Sequence, residues 1–196
     1  MTNLWSTALR LFLWMILLTG VIYPLIITGI AQLFFYERAN GDFLISQDKI
    51  VGAKLIAQKF TDNKYFWPRP SSVDYNPLPS GGSNLGPTSA ALKKAVGERK
   101  EVIAKAAGNS NSAIPSELLY ASGSGLDPHI SPKAAYFQID RIIKARSLDP
   151  QKGKKDLTEL IDKNTEKRLL DIIGKPCVNV LLLNQALDES LNKQKK

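Results

Sequence analysis

The feature that most constrains this chain is the stretch of residues 11–36, which contains no charged side chain. As a helix it would be roughly 38 Å long at about 1.5 Å per residue, and the hydrocarbon core of a bilayer is only about 30 Å thick. The apolar region of a cleavable signal peptide is shorter, at about 7–15 residues. The sequence therefore predicts a short tail over residues 1–10, a permanent transmembrane helix over residues 11–36 and one water-facing domain over residues 37–196.

The predicted span contains residues that a simple anchor does not need. Pro24 lacks an N–H and crowds the preceding turn, so we expect a kink between Gly20 and Pro24. The small residues Gly20, Thr28 and Gly29 would let another helix approach closely. Because Pro and Gly are also common in membrane helices in general, two interpretations stay open, a packing face against partner helices or an ordinary span. The flanking charges are too few to fix the orientation.

The formal net charge of +8 lies almost wholly in the predicted domain, because Arg10 is the only charged residue before it. A solvated basic surface explains this excess, and attraction to the anionic head groups of the lipid bilayer is the alternative. Nucleic acid is not expected as a partner, since aromatic residues are not interleaved with the basic ones and no binding motif occurs. Cys177 and His129 are the only residues of their kinds, so the sequence predicts neither an intrachain disulfide nor a metal site.

The pattern of apolar residues and turn formers predicts an α+β fold, in which a single transmembrane helix precedes one mixed soluble domain. Ser131 followed by Pro132 marks one helix start, and Asp156 is taken as the cap of the next helix. The predicted elements are strands over 43–45 and 50–56, helices over 88–107, 115–120, 131–147 and 157–173, a buried strand over 178–183 and a closing helix over 184–192.

A stretch rich in proline and aromatic residues, here called the aromatic loop, covers residues 65–87. Its five prolines and three glycines exclude a regular element. It nevertheless carries the aromatic side chains of Tyr65, Phe66, Trp67 and Tyr75, which are costly to leave in water. We therefore expect this loop to pack on its own domain or on a partner.

Two Ser/Gly loops, residues 80–86 and 122–125, each precede a predicted helix start. Exposed amides at helix N-termini favour anions, so these loops permit a weak phosphate or nucleotide site, and tight turns packed against a neighbour are the alternative. Gln138 could hydrogen-bond a base or a partner backbone. Catalytic residues are not predicted: no phosphate-binding lysine loop or nucleophile elbow occurs, and Ser124 lies too close in sequence to its only histidine for a hydrolytic triad.

Several segments together closely resemble a known family, the C subunit of the high-affinity potassium-transporting P-type ATPase, KdpC. The resemblance extends from the anchor to near the end of the chain. The matching segments are Leu118–Ala135, Tyr65-Phe66, Arg69–Ser71, Ser80–Pro87 and Val178–Asp188.

This resemblance implies a non-catalytic, single-pass subunit of a four-part complex in the bacterial inner membrane, with its soluble domain on the extracytoplasmic side. The implied partners are a channel-like potassium-translocating subunit, a P-type ATPase subunit and a small accessory subunit. The described role of the family is that of a catalytic chaperone that raises the affinity of the pump for ATP. No intrinsic cofactor is implied, but the family has a proposed ATP contact at a glutamine that corresponds to Gln138 by position.

Two hypotheses for the site follow. In the first, the chain is an assembly subunit whose span packs through Gly20, Pro24, Thr28 and Gly29. The predicted docking residues on its loops are Tyr65, Phe66, Arg69, Pro70, Tyr75, Asn84, Asp127 and His129. In the second hypothesis the chain is a regulator that binds a nucleotide directly. The predicted nucleotide-binding residues are Gln138, Ser122, Gly123, Ser124 and Gly125.

Overall fold

The computed structural model describes residues 3–46, 49–108, 113–168, 170 and 172–194, and the chain divides into two compact units, Met1–Ile50 and Val51–Lys196. The α+β fold class is confirmed. The helices of the described residues are α1 Leu4–Ile16, α2 Tyr23–Phe34, α3 Tyr36–Ala39, α4 Ala90–Ala106, α5 Pro132–Phe137, α6 Ile139–Arg146, α7 Pro150–Lys163 and α8 Val180–Gln194. The strands are β1 Phe43–Ser46, β2 Lys49–Ala53, β3 His129–Ile130, β4 Thr165–Glu166 and β5 Cys177–Asn179.

The first unit contains one helical stretch, Leu4–Phe34, which is long and apolar enough to cross a membrane. Its helix already begins at Leu4, inside the segment that the sequence assigned to the tail. Between α1 and α2 lies a π-helical segment, Leu17–Ile22, in which the N–H of Tyr23 donates to the carbonyl of Leu18. This wider turn directly precedes Pro24, at the place where the sequence predicts a kink, because proline cannot supply the regular hydrogen bond there.

The strands predicted over residues 43–45 and 50–56 are observed as β1 and β2, which form a two-stranded sheet. The second unit contains a three-stranded antiparallel sheet in the order β3–β5–β4. Helices α5 to α8 pack around this sheet and enclose the hydrophobic core. The fully buried core residues include Phe66, Ile130, Ile142, Ile161, Leu183 and Leu187.

The helix predicted over residues 131–147 begins as expected but is divided in two. The Ser131 hydroxyl accepts the N–H of Ala134 at 3.2 Å, and Pro132 occupies the first turn. The chain leaves the helical path at Gln138, where φ is −89° and ψ is −8°, and α6 then begins at Ile139. This break lets the Gln138 side chain meet the aromatic loop.

The helix predicted over residues 157–173 is wrong at both ends. It begins at Pro150, because Asp149 rather than Asp156 accepts the N–H of a residue in the first turn, that of Lys152 at 2.7 Å. Gly153 suits the interior of this helix, since an added Cβ would lie 3.2 Å from the Leu148 Cβ. The helix ends at Lys163, and the chain then forms β4.

The strand predicted over residues 178–183 is wrong beyond Asn179. The Asn179 side-chain oxygen accepts the N–H groups of Leu181 at 3.1 Å and Leu182 at 3.2 Å, which is the hydrogen bonding of a helix N-cap. Helix α8 therefore begins at Val180 instead of residue 184. Two smaller shifts are a start of α4 at Ala90 under a Ser89 cap and a 3₁₀ turn at Ser116–Leu118 in place of the helix predicted over residues 115–120.

Candidate functional site: the clamped aromatic loop and its surroundings

Two buried side-chain amides hold the backbone of the aromatic loop. The Asn184 oxygen accepts the N–H of Phe66 at 2.8 Å, and its nitrogen donates to the Phe66 carbonyl at 3.0 Å. The Gln138 oxygen accepts the N–H of Trp67 at 2.7 Å, and its nitrogen donates to the Trp67 carbonyl at 3.1 Å. Two consecutive residues of an irregular segment are thus paired as they would be in a β-ladder.

The Gln138 side chain has no hydrogen-bonding capacity left for a ligand. Besides its two bonds to Trp67, its nitrogen donates to the Ala134 carbonyl at 3.2 Å, and its oxygen accepts from Arg141 Nη2 at 2.6 Å. An amide offers two donors and two acceptor lone pairs, so all four positions are filled. The side chain is only 3% exposed. The geometry therefore gives the Gln138 side chain a structural role in holding the aromatic loop.

The hydrogen bonds from Gln138 and Asn184 to the loop backbone are here called the clamp. Arg141 extends the clamp to the start of the aromatic loop. Its guanidinium donates to the carbonyls of Asn63 at 2.6 Å and Tyr65 at 2.9 Å, and it lies 4.0 Å from the centre of the Trp67 ring. Burial lowers the pKa of Arg141 to about 10, which leaves the group charged at neutral pH. Stacking and hydrogen bonding together compensate for the desolvation of this charge.

A second arginine fixes the edge of the loop at Tyr65. The Tyr65 hydroxyl donates to Asp188 Oδ2 at 2.9 Å, and Arg146 donates to Asp188 Oδ1 at 2.7 Å and to the Lys64 carbonyl at 2.8 Å. Burial, and to a smaller extent the contact with Asp188, raises the pKa of Tyr65. The predicted docking residue Tyr65 is therefore held by side chains of α6 and α8.

The two Ser/Gly loops pack against each other. At Gly125, where φ is +71°, an added Cβ would lie 2.8 Å from the Gly81 carbonyl oxygen. The N–H of Ser122 donates to the Pro70 carbonyl at 3.0 Å, and the N–H of Gly125 to the Ser122 carbonyl at 3.3 Å. In addition, β3 separates the 122–125 loop from the helix start at Pro132. The structure thus favours packed turns over an anion site at a helix N-terminus.

Tyr75 occupies the centre of this turn cluster. Its hydroxyl donates to the Arg69 carbonyl at 2.9 Å, and its N–H donates to Ser71 Oγ at 2.9 Å. Burial raises the pKa of Tyr75 to about 12. Its φ of +61° is unusual for a bulky residue, so the surrounding contacts hold the backbone in a strained form.

An ion pair and an imidazole lie next to the Ser/Gly loops. Arg69 Nη1 donates to Asp127 Oδ2 at 2.9 Å, and the N–H of His129 donates to Asp127 Oδ1 at 3.0 Å. The side chain and N–H of His129, together with Arg69, lower the pKa of Asp127 to about 2, although burial acts in the opposite direction. The structure therefore brings together Arg69, Tyr75, Asp127 and His129 among the predicted docking residues.

The predicted docking residues differ greatly in exposure. Phe66 is 0% exposed and belongs to the core, so it supports the surface from beneath. Asn84 is exposed, and its neighbour Leu85 is 41% exposed. Leu78, which the sequence analysis did not single out, is 82% exposed. Leu78 and Leu85 are thus two exposed apolar side chains on a loop whose other parts pack against the domain.

A cleft of about 270 Å³ opens between α4 and the aromatic loop. Its walls are mostly apolar, with Trp67 and Tyr75 on the loop side and Val102 on the helix side. Arg99 is a polar residue at this cleft and donates to the Leu119 carbonyl at 2.9 Å. Such a cleft suits an aromatic or apolar group of modest size.

Sheet β3–β5–β4 brings together three side chains with metal-binding chemistry, His129, Glu166 and Cys177. The sequence analysis expected no metal site from one cysteine and one histidine. It did not consider a carboxylate as the third ligand, and Glu166 fell within the helix predicted over residues 157–173.

The clamp residues Arg141, Arg146 and Asn184 were missed by the sequence analysis. Arg141 lies three residues after Gln138, a spacing that places both on one side of a helical turn, and this signal could have suggested a shared partner. Asn184 had no such signal, since it was assigned to the start of the closing helix.

Comparison with known proteins places these features in a family context. The family model KdpC, described as K⁺-transporting ATPase, c chain, matches residues 5–189. A protein named potassium-transporting ATPase KdpC subunit from Polynucleobacter asymbioticus is 44% identical over 191 residues, which cover 96% of this chain and 99% of that protein. Proteins of the same name from Leptospira interrogans and Serratia proteamaculans are 45% and 47% identical, over 95% and 88% of this chain and 94% and 90% of their own lengths.

Proposed function

This chain belongs to the KdpC family of K⁺-transporting ATPase c chains, and from that membership we propose that it is an accessory, non-catalytic subunit of a potassium import complex. In this proposal it joins a channel-like potassium-translocating subunit, a P-type ATPase subunit and a small accessory subunit. Its N-terminal helix lies in the inner membrane, and its soluble domain lies on the extracytoplasmic side. It acts as a chaperone that promotes ATP binding by the pump subunit.

The observation that best supports this proposal is the construction of the aromatic loop. Its backbone at Tyr65–Trp67 is held by Gln138, Asn184 and Arg141, whereas Leu78 and Leu85 farther along the loop remain exposed. A loop fixed in this way loses little conformational entropy when a partner binds. Exposed apolar groups on a rigid support are typical of a docking surface.

Such docking can change ATP affinity without any contact between this chain and ATP. If the domain binds one conformation of the pump more tightly than another, it shifts the population toward that conformation. A tenfold gain in ATP affinity requires a difference in binding free energy of about 1.4 kcal/mol. A few apolar side chains suffice for this difference.

The experiment is the double substitution Leu78→Asp/Leu85→Asp in the purified complex. We expect loss of co-purification of the chain or, where the complex persists, a several-fold higher KM for ATP in potassium-stimulated ATP hydrolysis. Leu170→Asp is the matched control, because Leu170 is also largely exposed, at 79%, but lies outside the aromatic loop. Unchanged assembly and an unchanged KM in the double variant would rule out docking through this segment.

Direct nucleotide binding is the second candidate, and the cleft beside α4 favours it. Trp67 and Tyr75 line this cleft and could stack on a base, and Arg99 supplies positive charge. The test is calorimetric titration of the full chain in detergent with ATP. Val102→Glu places a charge in the cleft without removing a hydrogen bond of the clamp, so it should abolish the binding. Absence of saturable binding to the unaltered chain would reject this candidate.

A further inference from the structure

The three-stranded sheet places His129, Glu166 and Cys177 next to one another by strand register. Glu166 of β4 is paired directly with Cys177 of β5, and His129 of β3 is paired with Asn179. Cys177 and Asn179 are two residues apart on β5, and alternate residues of a strand share one face. The backbone pairing therefore brings three ligand-type side chains from three strands to the same region of the sheet.

The side-chain distances match this arrangement. His129 Nε2 lies 3.9 Å from Glu166 Oε1, and Cys177 Sγ lies 3.9 Å from Glu166 Oε2. The potential ligand atoms of all three residues lie within 4.8 Å of one another. In a tetrahedral zinc site with bonds of about 2.0–2.3 Å, neighbouring ligand atoms are roughly 3.3–3.8 Å apart. Small side-chain rotations would bring the ligand atoms of the three residues to these distances.

We propose that His129, Glu166 and Cys177 form a binding site for a transition-metal cation, of which Zn²⁺ fits best. Thiolate and imidazole ligands select zinc-type metals over potassium, magnesium and calcium, which prefer oxygen ligands. Three protein ligands leave the fourth tetrahedral position open for water or for a group from another molecule. The His129 and Glu166 side chains are 32% and 61% exposed, so the ion has access from solvent.

Asp127 lies at the position from which a carboxylate can orient a metal-binding histidine. Its Oδ1 lies 3.7 Å from His129 Nδ1, on the side of the ring away from Glu166. Arg69 holds the same carboxylate at 2.9 Å. A carboxylate beside one ring nitrogen keeps the other nitrogen free to bind a metal. We therefore expect Asp127 to act as a positioning residue for the site, with the three ligands coming from His129, Glu166 and Cys177.

Binding would connect β3, β4 and β5 through one ion. Strand β4 contains only two residues and follows soon after α7. The metal would therefore add a side-chain connection between β4 and β5, whose backbone pairing is short. A ligand that binds only the folded state stabilises it in proportion to the logarithm of its concentration relative to Kd. The site is independent of the proposed docking through Leu78 and Leu85.

The test uses the full chain in detergent, with an affinity tag that contains no histidine, and Co²⁺ as the spectroscopic probe. We expect one Co²⁺ per chain with a thiolate-to-cobalt charge-transfer band, and displacement of that Co²⁺ by Zn²⁺. Cys177→Ser should abolish the band, and His129→Ala and Glu166→Gln should each weaken Zn²⁺ binding at least about tenfold. Glu101→Gln, at an exposed position of α4, is the matched control and should bind normally.

Asp127→Asn distinguishes positioning from ligation. It should keep the charge-transfer band but weaken Zn²⁺ binding by about 10–100-fold. Circular dichroism with a chelator present checks that each variant is folded before metal is added. The proposal is overturned if the unaltered chain shows no saturable 1:1 binding, or if Zn²⁺ affinity is the same in the Cys177→Ser and His129→Ala variants as in the unaltered chain.

Discussion

Gln138 and Asn184 each supply both halves of a backbone pairing from a single side chain. Each amide donates to the carbonyl and accepts from the N–H of the same loop residue, Trp67 for Gln138 and Phe66 for Asn184. An irregular, proline-rich segment cannot pair with itself, and its buried peptide groups would otherwise be unsatisfied. At the scale of the residue, these two side chains therefore make the backbone hydrogen bonds that a neighbouring strand would otherwise make.

The first prediction concerns Gln138→Ala. It removes the partners of the N–H and carbonyl of Trp67, which are partly buried, and a buried group left without a partner costs about 1–3 kcal/mol. We expect the free energy of unfolding of the full chain to fall by about 1–3 kcal/mol. Urea unfolding in detergent measures this, with Gln151→Ala at an exposed position of α7 as the matched control. A decrease in the free energy of unfolding no larger than that of Gln151→Ala would contradict a stabilising role of the Gln138 hydrogen bonds.

The second prediction concerns Tyr75 at alkaline pH. Its pKa in the folded chain is about 12, above the value of 10.0 of an unperturbed tyrosine. The neutral phenol is therefore favoured in the folded state, and the associated stability is present below pH 10 and is lost as the pH rises to about 12. We expect the unaltered chain to be more stable than Tyr75→Phe at pH 8 and this advantage to shrink between pH 10 and 12. A stability difference between the unaltered chain and Tyr75→Phe that stays constant up to pH 12 would contradict the raised pKa of Tyr75.

At the scale of the element, helix starts were predictable where two local signals coincide. Ser131-Pro132 combines a hydroxyl cap with proline at the first position, and α5 begins there. Asp149-Pro150 has the same form and is the observed start of α7, whereas the sequence analysis took Asp156 as the cap. The apolar run after Val178 was taken as a strand, since its periodicity cannot distinguish a buried strand from a buried helix. The Asn179 cap and the packing of Leu183 and Leu187 decide in favour of the helix.

The third prediction separates the two roles of Asn179. Its oxygen caps α8, and its nitrogen donates to the Lys54 carbonyl at 2.7 Å. Asn179→Ala removes both contacts, so we expect a loss of about 2 kcal/mol in the free energy of unfolding. Asn179→Ser keeps a side-chain oxygen that can cap α8 and should lose clearly less. Equal losses in the two variants would show that the cap contributes nothing to stability.

At the scale of the whole molecule, the chain joins a helix able to cross a membrane to a second unit, and its family consists of subunits of the K⁺-transporting ATPase. The anchor was predictable because an uncharged stretch of this length has few other structures open to it. The aromatic loop and the Ser/Gly loops were recognisable as packed segments, and the structure shows that much of this packing is internal. The clamp and the His129–Glu166–Cys177 cluster were not predictable, since they join residues that are far apart in sequence and depend on the order of the strands.

The fourth prediction tests the anchor as a packing surface. An added Cβ at Gly29 meets nothing within 4 Å, so Gly29→Leu leaves the chain itself unstrained. If partner helices approach at this point, the variant should assemble several-fold less complex in the membrane. Leu25→Ile, at an exposed position of the same helix, should assemble normally. Full assembly of Gly29→Leu would show that no helix packs closely there.

The fifth prediction tests the side of the membrane on which the soluble domain lies. Cys177 is the only cysteine of the chain and is partly exposed. With a chelator present and the outer membrane made permeable, a membrane-impermeant maleimide should label it in otherwise intact cells. A denatured sample gives the maximum labelling. Labelling that requires disruption of the inner membrane would place the domain in the cytoplasm.

The π-helical segment Leu17–Ile22 has a consequence for any neighbour of the anchor. It inserts the equivalent of one residue into an α-helix, and one residue corresponds to a rotation of about 100° about the axis. The α1 half of the anchor is therefore out of rotational phase with the α2 half. Residues that would lie on one continuous face of a regular helix thus point in different directions before and after this segment, and a straight neighbouring helix could follow the same face along only one of the two halves.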